Sequence, residues 1–216
     1  GTAMNRLVQG DVGSGKTIVA AACIWCAHEG GLQSAFMAPT EILAHQHFKT
    51  LTDLLCPLGI KIVKLTGSMT AKQKREALEQ IKQGSANLVV GTHALLSGNV
   101  EFDRLALVIT DEQHRFGVNQ RAALIAKGES PHTLVMSATP IPRTLALIIY
   151  GDLDVSVIDE LPPGRQRVDT FAVNEQMRGR INGFMRKQVS GGRQVFVVCP
   201  AIDENEERPQ ELKNAK

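Results

Sequence analysis

Short apolar runs alternate with longer amphipathic stretches along most of the chain. The runs RLVQG (6–10), SAFMA (34–38), KIVKLT (61–66), NLVVGT (87–92), LALVIT (105–110) and TLVMSA (133–138) are bounded by polar or turn residues, a pattern that predicts strands. Between them, KTIVAAACIWCAHEGG (16–31) is apolar nearly all round and ends in glycine, as a buried helix would. TEILAHQHFKTLTDLL (40–55) carries apolar residues at helical spacing, and TAKQKREALEQIKQG (70–84) opens on a threonine cap and closes on glycine. Strand–helix alternation of this kind predicts an α/β fold: a doubly wound, mostly parallel central sheet flanked by helices. In such sheets ligands bind beyond the carboxyl ends of the strands, so the residues that follow each strand are where chemistry is expected.

The first of those positions reads GDVGSGKT, Gly10 to Thr17, and meets the spacing G-x-x-x-x-G-K-[ST]. Gly10, Gly13 and Gly15 let the backbone curl so that N–H groups converge on phosphate oxygens, with Ser14 inside the curl. Lys16 reaches the β- and γ-phosphates of a nucleotide, and the Thr17 hydroxyl supplies one oxygen to Mg2+. The helix that follows adds a partial positive charge beneath the phosphates. A plain glycine turn is the competing reading, and the strand before and helix after weigh against it.

The second signal is LVITDEQH, Leu107 to His114, an apolar strand ending in two acids. Asp111 would hold the magnesium through water, and Glu112 would orient and deprotonate the water attacking the γ-phosphate. Taken alone, an acidic pair often does no more than solvate a strand end; the phosphate loop upstream gives it a task.

Composition narrows the class. At 216 residues and 43% hydrophobic content the chain suffices for one full α/β domain and part of another. No stretch approaches the length of a membrane span, and the opening residues do not read as a signal peptide, so a cytoplasmic location without membrane contact is expected. The four cysteines are expected to be reduced thiols. Cys23 and Cys26 form a C-x-x-C inside the first helix, away from its N-terminus, and read as structural rather than redox or zinc residues. A formal charge of +2 neither argues for nucleic acid nor against it, because a phosphate-tracking groove needs local donors.

The ordered set GDVGSGKT, APTEILAHQH, VVGTHAL, DEQHRFGVNQR, MSATPIPRTLAL and IDELPPGR resembles superfamily-two helicases, and within them the RecG family of ATP-dependent DNA translocases. The resemblance runs from about Met4 to CPAIDENEE; transcription-repair coupling translocases are similar over RFGV and SATPIPRTL. It implies a RecA-like fold, use of ATP with Mg2+, and action on branched or forked duplex DNA. It implies that three turns lie along a DNA strand: Pro39, Thr40 and Glu41; Thr66 and Gly67; Gly91, Thr92 and His93. It also implies that Ser137, Ala138 and Thr139 link hydrolysis to the DNA groove with His114 as their hydrogen-bond partner, while Arg143 and Arg115 touch DNA or couple domains.

Past Gly151 the organisation changes. DLDVSVI reads as a last strand of the first domain, ELPPGRQR as a linker, and VDTFAV, a helix and QVFVVCP as a strand-helix-strand unit. Met177, Ile181, Phe184, Met185 and Val189 share one face of that helix, and incomplete cover of it predicts self-association. The expected division is residues 1–3 as a remnant before Met4, 4–160 as a first RecA-like domain, 161–167 as linker and 168–216 as the truncated start of a second RecA-like domain. On that division the family's wedge domain would precede Met4 and its later arginine motifs would follow the chain's end, so the isolated chain is expected to be weakly active or inactive. Two rivals stay open: a nucleotide-gated DNA-binding module without turnover, and a P-loop kinase acting on a small molecule.

Overall fold

In a computed structural model, which describes residues 2–111, 118–138, 153–160, 162 and 168–198, the apolar runs become seven strands. They are β1 (Asn5–Gly10), β2 (Gln33–Met37), β3 (Ile62–Leu65), β4 (Leu88–Gly91), β5 (Leu105–Thr110), β6 (His132–Ser137) and β7 (Asp154–Ile158). Every pairing is parallel, and the order across the sheet is β3-β4-β2-β5-β6-β1-β7. Parallel strands need crossovers, supplied here by α1 (Lys16–Glu29), α2 (Glu41–Leu55), α3 (Ala71–Lys82) and α4 (Val118–Ile125). All seven carboxyl ends therefore open on one rim of the sheet.

Side chains alternate across each strand, and the core divides accordingly. Phe36, Leu88, Val90, Leu107, Ile109, Leu134 and Met136 pack with Ala20, Ile24, Leu51 and Leu55 of α1 and α2 on one face. Ala35, Met37, Val89, Leu105 and Val108 pack with Ala77, Ile81 and Leu124 of α3 and α4 on the other. Helix starts follow side-chain chemistry: Thr40 Oγ1 accepts from the Leu43 amide at 3.3 Å, and Thr70 and Gln73 form a reciprocal capping box. Past α3, Gly84 takes a φ of 69°, a conformation open to a residue without a β-carbon.

Two expectations need correcting. The first helix is not buried all round: Ala20, Ala21 and Ile24 are in the core, whereas Ile18, Val19 and Trp25 face outward. A helix on one face of a sheet has only one side to bury, whatever the hydrophobicity of the other. The second concerns residues 168–198, which fall in a separate unit from Gly1–Arg165. There the single-turn 3-10 helix Glu175–Met177 leads into α5 (Arg178–Ser190), but VDTFAV and the described part of QVFVVCP form no strand. A strand is completed by its neighbour's N–H and C=O groups, and among the described residues of this unit neither run pairs. Met177, Ile181 and Met185 are half-buried, while Phe184 and Val189 remain exposed. Among the described residues, no helix is long and apolar enough to cross a membrane.

Candidate functional site

The loop between β1 and α1 is wound by its glycines. Gly13 and Gly15 adopt φ of 84° and 95°, in the left-handed region that β-carbons disfavour. Ser14 N–H donates to the Asp11 carbonyl at 3.1 Å, and Ile18 N–H to that of Gly15 at 2.9 Å, so the chain passes from the curl directly into α1. Lys16 folds back across the loop, its Nζ donating to the carbonyls of Gly10 at 2.8 Å and Asp11 at 2.7 Å. The Ser14 hydroxyl oxygen is buried without a hydrogen-bond partner. A β-carbon on Gly10 would approach that oxygen to 2.6 Å, so the curl has no room for a larger residue there.

Asp111 follows β5, and its N–H extends the ladder by one residue to the Met37 carbonyl at 3.0 Å. It is 8% exposed. Only β6 separates β5 from β1, so the strands that end at Asp111 and at the loop are two spacings apart, about 10 Å. Ser137, at the end of the intervening β6, is fully buried, and Ala138 follows it half-buried. Glu112, His114, Thr139 and Arg143, together with Arg115, lie outside the described residues.

A glycine-wound loop that leads into a helix N-terminus, a buried hydroxyl without a partner and a lysine held across the loop fit a polyphosphate. The oxygens of Thr17 and Asp111 suit a hard cation such as Mg2+. The residues present therefore fit a magnesium nucleotide.

The three turns expected to face DNA follow β2, β3 and β4, which are contiguous at the other end of the same rim. Their side chains differ in availability. Thr66, Gly91 and Thr92 are buried, Gly67 and His93 are exposed, and Pro39, Thr40 and Glu41 are half-buried. The Thr92 hydroxyl is buried without a partner, and that of Thr40 caps α2. In this half Gly67, Ser68 and His93 are the exposed residues of the turns. Glu41 is tied inward: its carboxylate accepts from the Ser68 amide at 2.9 Å and from the Ser68 hydroxyl. These bonds, the hydroxyl's first, hold the Glu41 carboxyl below its ordinary range, with smaller help from Gly67 N–H and His93. Lys74 Nζ closes the same turn from α3 by donating to the Gly67 carbonyl at 2.6 Å.

Sequence reasoning missed His47 and Ser68. His47 Nε2 donates to Asp111 Oδ2 at 2.7 Å. The signal for it was its place on α2, three residues after Ala44 and four before Leu51, a polar side chain on the buried stripe. Ser68 carried no signal beyond the neighbouring glycine, because its partner lies twenty-seven residues away. Elsewhere, burial first and Cys26 second push the Cys23 thiol up, opposite to the depression that marks a reactive cysteine.

The family model for DEAD/DEAH box helicases matches residues 2–148. The chain is 54% identical to the ATP-dependent DNA helicase RecG of Synechocystis over 94% of its own length and 24% of that protein's. It is 51% identical to the RecG of Bacillus subtilis, over 94% of the chain and 30% of the relative. Among solved structures it is similar to RecG bound to a three-way DNA junction, with a TM-score of 0.75 at 46% identity, over 88% of this chain and 25% of that one. A DEAD box protein from Methanococcus jannaschii shares the fold, with a TM-score of 0.58 at 24% identity over 72% of this chain and 46% of that one. The chain thus spans about a quarter to a third of the length of these curated relatives.

Proposed function

The chain belongs to the DEAD/DEAH box helicase family, and from that premise we propose that it carries the nucleotide-hydrolysing domain of a RecG-type, ATP-dependent DNA translocase. The observation that carries the reading is the division of one carboxyl rim into a phosphate cradle with an acid beside it and three contiguous polar turns.

In the proposed cycle the loop N–H groups and the N-terminus of α1 receive the phosphates, and Lys16 exchanges the carbonyls of Gly10 and Asp11 for β- and γ-phosphate oxygens. Thr17 and Asp111 would hold Mg2+, which would neutralise charge on the phosphates. Glu112 orients the attacking water and takes its proton. The turns at Pro39–Glu41, Gly67–Ser68 and Gly91–His93 grip a DNA strand through backbone groups and short polar side chains, contacts that are indifferent to base sequence. Ser137, Ala138 and Thr139, with His114, pass the state of the γ-phosphate to those turns, and Arg143 and Arg115 act between DNA and domain motion. The substrate proposed for the whole protein is a forked or branched duplex, and the proposed compartment is the cytoplasm. The proposed division is a first RecA-like domain over 4–160, a linker over 161–167 and the start of a second over 168–216. Exposed Phe171, Phe184, Phe196 and Val198 support self-association of the isolated chain through that second unit.

Single cysteines at Ser68 and His93, carrying a photo-crosslinker, test the reading against a forked duplex. Both are expected to cross-link, in competition with unlabelled DNA, whereas a probe at exposed Lys82 on the opposite end of α3 is not. Failure of DNA to compete or cross-link at either position would remove these turns from DNA binding. For self-association, light scattering is expected to give a weight-average mass that rises with concentration, and a strict monomer would refute it.

A further inference from the structure

We infer that His47 is a positioning residue for the metal-holding carboxylate of Asp111, a role that rests on the nucleotide reading above. The two side chains meet across sixty-four residues of chain, with side-chain exposures of 14% and 11%. Asp111 continues the alternation of Leu107 and Ile109, so it emerges on the sheet face covered by α1 and α2. His47 descends to meet it from the buried stripe of α2. The imidazole is fixed from a second side by Phe36, with ring centroids 4.6 Å apart and planes inclined at 45°. Packing sets the ring plane, and the bond to Oδ2 then restricts rotation of the carboxylate.

Restriction of that kind matters most at a metal ligand. A carboxylate that must present an oxygen to a cation is oriented by its other hydrogen bonds, and loss of such a partner typically costs about 10- to 100-fold in metal affinity or activity. The helix that carries His47 also begins at Glu41, in the turn that holds Ser68. One rigid element thus runs from a turn proposed to face DNA to the acid proposed to hold Mg2+.

The test titrates magnesium against binding of a fluorescent ATP analogue to the whole 216-residue chain, and measures the metal-free affinity separately in EDTA. His47→Phe keeps the ring volume and the packing on Phe36 but has no N–H. It is expected to raise the magnesium midpoint about tenfold while leaving metal-free affinity unchanged. His47→Leu is a second donor-free variant with the same expectation. His47→Gln, whose amide donates from nearly the same place as Nε2, is expected to bring the midpoint back to within about threefold of the parent. Three results would overturn the inference: an unchanged midpoint in the donor-free variants, an equal loss of metal-free affinity in them, or no rescue by His47→Gln. Lys16→Ala separates failure of the inference from failure of its premise. If that variant binds the analogue as the parent does, the nucleotide site itself is wrong; if it loses binding while His47→Phe keeps its midpoint, only the role of His47 falls.

Discussion

The two halves of the sheet's carboxyl rim are held together by different means. Beyond β1, β6 and β5, shape comes from backbone and burial: Gly13 and Gly15 in left-handed conformations, Lys16 bonded to main-chain carbonyls, and Ser137 and Asp111 sunk into the sheet. Beyond β2, β4 and β3, shape comes from exposed side chains that tie one turn to another, Glu41 to Ser68 and Lys74 to Gly67. A cradle for one compact, highly charged ligand is best set in advance by groups that cannot rotate away. A surface that must let a polymer slide along it can be made of turns that yield.

The sharpest way to break that comparison is Lys16→Ala. A hydrogen bond to a charged group is worth about 1.5–3 kcal/mol, so nucleotide affinity should fall by roughly 10- to 100-fold in a calorimetric titration. Amide protection of Ser68, in the other half, should not change. Loss of protection there would mean that the halves form one cooperative unit.

Gly91→Ala attacks the opposite half at its base. Gly91 ends β4 beside Leu65 of β3, and a β-carbon there would press into the Leu65 carbonyl oxygen and stand 3.0 Å from the Leu95 side chain. Neither neighbour is the free end of a flexible chain, so the cost should reach the upper part of the roughly 1–3 kcal/mol seen for overpacking. Urea denaturation should report it as a lower midpoint with an unchanged slope. A smaller effect is expected at the start of α3, where Thr70→Ala removes one side of the capping box and should cost about 1 kcal/mol by the same measurement.

That cap was legible in the sequence, and so was the phosphate loop, for one reason: each is written within a few consecutive residues. Thr70 and Gln73 face each other across one helical turn, and Gly10 to Thr17 set their own geometry. The strands were legible because a short run of consecutive apolar residues reports burial on both sheet faces. Whatever needed a distant partner was not. Trp25 and Ile18 look like core residues, yet which side of α1 meets the sheet depends on the sheet. Val195 and Val197 line a shallow cavity with Met185 and Val189 instead of joining a ladder, since a strand-like run without a neighbouring strand satisfies little of its backbone. Thr66 and Thr92 are expected in turns along a DNA strand, but both are buried. Asp111 stands out by its place after an apolar run, whereas its bond to His47 is revealed only once α2 is laid over β5.

The smallest expected effect isolates the tie between turns. Glu41→Gln removes the charge but not the shape, and global melting should not move, because bonds made at an exposed surface contribute little to stability. The amide of Ser68 should nonetheless exchange a few-fold faster, since an ionised acceptor is replaced by a neutral one. Protonation offers the same perturbation without mutation. The folded-state pKa of Glu41 lies below the ordinary carboxylate value, so its contribution is complete above that value and disappears as pH falls through the depressed one. The Ser68 amide resonance should therefore show a step below the ordinary carboxylate range, and in Glu41→Gln that step should vanish. The absence of that step, or its persistence in Glu41→Gln, would mean that the carboxylate does not hold this turn in solution. The half of the rim beyond β2, β4 and β3 would then lack the side-chain tie that distinguishes it from the half beyond β1, β6 and β5.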